Sequence, residues 1–264
     1  MTTTAPLTTG WEPELPDTDS MCLRWVRHWS QQCAAFALAA GGTVVRDERF
    51  VLADLRRPAA FLNAAVLLAP PADLPALLDE IESRAAGGHG GLYLWSLWPT
   101  PDLRARGWEL EGHPPLLVRP PLSVLPAPAM PPGPEPEPVT SAAGLAAWER
   151  VLVEGYPLAD VDLTRPGAVV GPDLLGDARL RFWASGAPDA ISAQFVAHGV
   201  ASFALGVTMP AARRGGHWQR HALVRLRTEP DLWHVGVFSD DSRPGAERLG
   251  FVPVLRHTLW HRTR

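Results

Sequence analysis

The segment Pro126-Ala-Pro-Ala-Met-Pro-Pro-Gly-Pro-Glu-Pro-Glu-Pro138 rules out any single helix or central strand running through the middle of this chain. Each proline lacks the amide hydrogen that a helix or a sheet ladder needs, and its ring fixes φ. Such a stretch is expected to run extended, as a semi-rigid spacer. It leaves a flank of domain size on either side. The sequence therefore reads as two domains, 1–125 and 139–264, joined by a linker at 126–138.

Composition narrows the function classes. Of the 264 residues, 46% are hydrophobic and 20% charged, which is ample for a buried core. A formal net charge of −4 offers no basic field, so neither nucleic acid nor a membrane is an expected partner. Two cysteines are too few for a disulfide framework. All 24 basic residues are arginine, which with 28 prolines is typical of a high-GC bacterial genome. Without lysine, Schiff-base chemistry is excluded. Apolar runs such as 64–71 fall far short of the roughly 20 residues of a membrane helix. Met1–Gly10 has no basic region ahead of an apolar one, so the expected location is the cytoplasm.

Both halves read as mixed α/β. In the first, apolar residues at helical spacing (Trp25, Trp29, Cys33, Phe36) predict a helix over 20–40, capped by Asp19 or Ser20. A strand over 61–68 is followed by a helix over 73–86, a glycine break at 87–91 and a strand over 92–98. A short helix over 102–106 and final strand structure over 108–118 complete it. In the second half, a helix over 141–154 precedes strands over 180–183 and 190–196. His198-Gly199 marks a tight turn into a strand over 200–208. A helix then runs from the Arg213-Arg-Gly-Gly-His-Trp218 turn to about Arg227, followed by a strand over 232–238, a short helix over 243–249 and a last strand reaching Trp260.

The turn at 213–218 is where chemistry is expected. Unpaired N–H groups at a helix start attract anions, and the helix dipole adds to that pull. Gly215 and Gly216 permit close backbone approach, and Arg213 and Arg214 bring full positive charge. The pattern is neither Walker A nor the dinucleotide Gly-x-Gly-x-x-Gly. His217 and His221, four apart on one helix, would suit a metal pair, but no third ligand accompanies them, so no metal is expected. Cys22 and Cys33 lack zinc-ligand spacing and belong to a helix face. His234 is a candidate base near neutral pH, Ser239 a candidate hydrogen-bonding group at a strand end, and Asp160 and Asp162 candidates for holding a substrate amine.

Val207-Thr-Met-Pro-Ala-Ala-Arg-Arg-Gly-Gly216 resembles motif A of the GCN5-related N-acetyltransferases (GNAT), Val-x-Pro-x-x-Arg/Gln-x-x-Gly-x-Gly/Ala. Ser239-Asp-Asp-Ser-Arg-Pro-Gly-Ala-Glu-Arg-Leu-Gly-Phe251 is similar to that family's later signature, a strand-end Ser or Asn and a helix ending Tyr-Glu-Arg-Leu-Gly-Phe. Together they cover about 180–260. Residues 95–108, with Gly107-Trp108 for Gly-Phe, look like a diverged copy of the same ending. The resemblance implies two GNAT-like domains in tandem, an α+β mixed-sheet fold with helices on its faces, the acyl-CoA N-acyltransferase fold.

It further implies acetyl-CoA as co-substrate, attacked directly by the amine of a small molecule. Val207 and Thr208 would border a gap holding the pantetheine arm, and Arg213, Arg214, Gly215, Gly216, His217 and Trp218 would hold the pyrophosphate. Ser239 and His234 are the candidate catalytic groups. Three departures stand out. Trp218 (or Gln219, in a register shifted by one) takes the place of a final small residue, Ala246 that of the tyrosine that usually serves as the acid, and 200–208 has no carboxylate. An alternative reading is therefore a binding or scaffold protein on the same fold that does not turn over CoA, with Trp218 as a plug. Oligomeric state is not legible.

Overall fold

The computed structural model describes residues 21–58, 60–88, 90–156, 158, 161–162 and 164–263. The first half contains α1 (Met21–Ala39), β1 (Thr43–Arg46), β2 (Phe50–Asp54), β3 (Ala64–Leu67), α2 (Leu74–Ala85), β4 (Leu92–Ser96), β5 (Glu109–Gly112) and β6 (Pro115–Arg119). The second contains β7 (Glu137–Pro138), α3 (Ala142–Gly155), β8 (Leu180–Ser185), β9 (Ala190–Ala197), β10 (Val200–Ser202) and β11 (Ala204–Thr208). It continues with α4 (His217–Thr228), β12 (Trp233–Val237), α5 (Arg243–Arg248), β13 (Val252–Arg256) and β14 (Thr258–Arg262). The hairpin of β1 and β2 was not read from the sequence, because it is short and β2, buried throughout, does not alternate.

The strands form two mixed sheets with the same layout. One runs β1-β2-β3-β4-β14-β5, the other β8-β9-β10-β12-β6-β13, with β7 and β11 added to the second. In each, the third and fourth strands are parallel and all other neighbours antiparallel. The fifth strand of each sheet comes from the other half of the chain. β6 sits between β12 and β13, and β14 between β4 and β5. A division of the chain at 125 and 139 therefore does not divide the sheets.

The strand structure over 108–118 and the last strand, expected as one strand reaching Trp260, are both interrupted at the crossover. The first splits at His113-Pro114, and the last strand splits at His257. These breaks face each other: the His257 amide and its Nδ1 both lie 3.1 Å from the Pro114 carbonyl, and Arg256 Nη1 donates to the His113 carbonyl at 2.8 Å. Proline at 114 cannot continue the ladder, so the chain leaves one sheet there and enters the other.

α1 lies where the halves meet. Trp25 Nε1 donates to His257 Nε2 at 2.8 Å, and Gln32 accepts from Ser202 Oγ at 2.9 Å. Its buried residues, which include His28, Gln32 and Phe36, spread round the helix, and one apolar core runs continuously from the first half into the second. A smaller core, with Leu117, Phe203, Leu223, Leu226 and Phe251, fills the space under α4 and α5. The proline-rich segment is a strap rather than a free spacer. Proline carbonyls have no amide competing for them locally, and arginines of α4 use them: Arg220 Nη1 donates to the Pro132 carbonyl at 2.8 Å and Arg227 Nη2 to that of Pro128 at 3.4 Å.

Candidate functional site

A cleft of about 960 Å³ opens between β11 and β12, with the start of α4 at one end. Its cause is a local break in the sheet. β10 pairs with β12 as far as Ser202 and Val235, after which the register slips and β11 pairs with β9 alone. Leu205, at φ +44, carries the distortion. A non-glycine residue in the left-handed region costs roughly 1–2 kcal/mol, and such strain collects at functional sites. One edge of β11 is thus left unpaired, with its backbone amides and carbonyls facing the gap. α3 closes the side behind it: a Cβ on Gly155 would fall 2.2 Å from Val207 Cγ1, so only glycine lets helix and strand meet this closely.

Val207, Thr208, Arg213, Arg214, Gly216, His217, Trp218 and Ser239 all line this cleft. Arg213, Arg214 and Gly215 are exposed, Gly215 on the same turn as the others. Gly216, at φ +75, is the N-cap of α4 and no side chain caps the helix. The first amides of α4 are therefore left for an anion. Trp218 lines the cleft at the start of α4. Its ring packs on α5, where a Cβ on Gly245 would come within 2.8 Å of it, and it joins the smaller core. Ser239 is exposed, 3.0 Å from Ser242 Oγ at the start of α5.

Other candidates lie elsewhere. His234 is fully buried in β12 behind Phe203, its ring edge-on at 5.9 Å, and does not line the cleft. Burial holds it at a pKa of about 4, with the Arg119 charge acting in the same direction. His217 and His221 converge on Ser185 Oγ at 2.9 and 3.0 Å, and Ser192 Oγ lies 2.7 Å from the other His221 nitrogen. Burial lowers the His221 pKa to about 3, which keeps its imidazole neutral. Asp162 binds the Thr164 amide and hydroxyl on an exposed loop, and Asp160 lies outside the described residues. Glu149, a buried carboxylate, accepts from the amides of Gly167, Val169 and Val170 and is engaged in holding that loop.

Two cleft residues were missed in the sequence. Tyr156, at the end of α3, lines the gap and stacks on Phe61 of the first half, centroids 5.2 Å apart. Desolvation raises the pKa of its phenol. Arg225, in the third turn of α4, reaches the cleft from below. The available signals were that the chain has two tyrosines and that Arg225 stands beside Leu226 of the predicted apolar stripe of this helix.

No protein-family model and no curated protein sequence matches this chain. Solved structures do. A GCN5-related N-acetyltransferase from Kribbella flavida is 22% identical with a TM-score of 0.65, covering 92% of this chain and 96% of its own. A GNAT-family protein from Novosphingobium aromaticivorans DSM 12444 is 14% identical with a TM-score of 0.56, covering 90% and 96%. A conserved protein of unknown function from Staphylococcus epidermidis ATCC 12228 is 12% identical with a TM-score of 0.54, covering 83% and 92%. These likenesses, with the splayed strand and the uncapped helix, show that the chain has the fold of the GCN5-related N-acetyltransferases.

Proposed function

We propose that the second half of the chain binds an acyl-CoA, acetyl-CoA in the simplest case, and transfers its acyl group to the amine of a small molecule in the cytoplasm. The observation that carries this reading is the meeting of a one-sided strand, β11, with the uncapped start of α4 in one cleft. The donor supplies an activated thioester. Arg213, Arg214 and the amides at 216–219 suit its phosphates in charge and direction. The open edge of β11 offers its amides and carbonyls to the pantetheine arm, and a strand amide there can polarise the thioester carbonyl. Catalysis would rest mainly on holding amine and thioester together. With Ala246 buried and unable to act as an acid, the Tyr156 phenol is the candidate proton donor to the leaving thiolate, with the Thr208 and Ser239 hydroxyls in the same cleft.

The second reading, a CoA-fold protein without turnover, is favoured by the absence of a buried carboxylate among the described residues lining the cleft, where Asp241 stands exposed. Calorimetry with acetyl-CoA at low salt tests binding first. The expected result is micromolar affinity, weakened about tenfold by Arg213→Ala, equivalent to about 1.4 kcal/mol. No heat at high protein concentration would sink the first reading and leave the second, in the form that has lost CoA binding. Binding without thiol release over a broad amine panel would leave only the second.

A further inference from the structure

Arg225 is 3% exposed, yet no carboxylate pairs with it among the described residues. Nε donates to the His221 carbonyl at 3.0 Å and Nη1 to that of Ala193 at a long 3.4 Å. The guanidinium lies over the Phe203 ring, 4.0 Å from its centroid, and its face of the cleft is shared with Tyr156. Burial lowers its pKa to about 9, so it is still charged at neutral pH. A buried charge without a counter-ion costs several kcal/mol.

Arg119 provides the contrast. It is equally buried, but its nitrogens donate to the carbonyls of Leu249, Pro120, Leu125 and Pro126, and it does not line this cleft. That is an arginine whose work is structural. Arg225 keeps Nη2 without a protein acceptor and faces a cleft. It also stands eight residues beyond the start of α4, about 12 Å along the helix axis. The cleft therefore carries positive charge at both ends, exposed at Arg213 and Arg214 and buried at Arg225.

We propose that the buried end of this cleft is a carboxylate subsite, in which Arg225 receives a carboxylate carried either by the acyl group of the donor or by the amine acceptor. The proposal rests on the acyltransferase reading for the identity of its ligands, and it narrows them to a dicarboxylic acyl thioester or an amino acid. Planar guanidinium and carboxylate match in a charge-assisted pair, and in a site so dry the pair is strong.

The test compares ligands that differ only at the carboxylate, in the native protein and in Arg225→Met. Succinyl-CoA is titrated against butyryl-CoA, and an amino-acid panel against the corresponding methyl esters, with and without CoA present. The expected result is a tenfold or greater preference for the carboxylate form in one arm, falling to within twofold in Arg225→Met and partly restored in Arg225→Lys. A preference in the first arm places the carboxylate on the donor, and one in the second places it on the acceptor. CoA alone should bind native protein and Arg225→Met alike, which also shows that the variant is folded. If Arg225→Met does not fold, the native preference still decides. No preference in either arm overturns the proposal, as does one that persists in folded Arg225→Met. Failure of CoA to bind, with the amino-acid preference intact, removes the acyltransferase reading and leaves the carboxylate subsite standing.

Discussion

The two halves share a strand order but differ at the same place in it. In the second, β10 and β11 break apart at Leu205 and α4 begins at an uncapped glycine, leaving a cleft of about 960 Å³. In the first, β3 is paired on both sides from Ala64 to Val66 without a slip. α2 begins at Asp73, whose carboxylate accepts from the Ala76 amide at 3.0 Å and occupies the position that phosphate would need. Trp29 and Trp95 meet edge-on at 5.0 Å over the corresponding gap, leaving a void of about 10 Å³. One fold thus either opens a cleft or packs shut, depending on a strand slip, a helix cap and a few large side chains.

That contrast can be broken most severely by removing β14. A chain ending at Arg256 would leave β4 and β5 without the strand between them and would lose buried Leu259 and Trp260. Because the sheets exchange strands and share a core, both halves are expected to lose cooperative unfolding in calorimetric melts. A truncated protein in which the second half still melts sharply would show that the halves are independent.

Lowering the pH comes next in size. Burial holds His28 and His221 at pKa values of about 3, and His234 and His257 at about 4, against 6.5 for an unperturbed imidazole. As pH falls below about 6.5, the unfolded chain takes up protons that the folded one refuses. Stability present at neutral pH is therefore lost progressively, down to about pH 4 for His234 and His257 and about pH 3 for His28 and His221. At pH 5 the loss is roughly 2 kcal/mol per histidine. Urea midpoints at pH 7.5, 6 and 5 should fall in that order. His28 and His257 sit at the seam between the halves, so hydrogen exchange at pH 5 should show the seam loosening early; unchanged protection there would mean water already reaches those rings.

The smallest effect belongs to the helix cap. Asp73→Ala should cost about 1 kcal/mol through the lost bond to the Ala76 amide. It should not create a CoA site in the first half, where the strands stay closed and the loop before the helix has five residues (68–72) against seven (209–215) in the second. Calorimetry showing a second equivalent of acetyl-CoA would make the cap, not the closed sheet, the reason the first half does not bind.

Local chemistry was legible without the structure. The 213–218 turn and most of the order of helices and strands follow from side chains acting on their own backbone within a few residues. Those interactions decide conformation wherever the chain goes. Strand exchange was not legible, because a strand's partner is chosen across more than a hundred residues and β6 and β14 have apolar patterns that suit either sheet. Nor were the roles of Arg119 and Arg225, two arginines with the same chemistry. One was surrounded by backbone carbonyls and the other left facing a cleft, and only the packing of distant strands and helices around each could decide which.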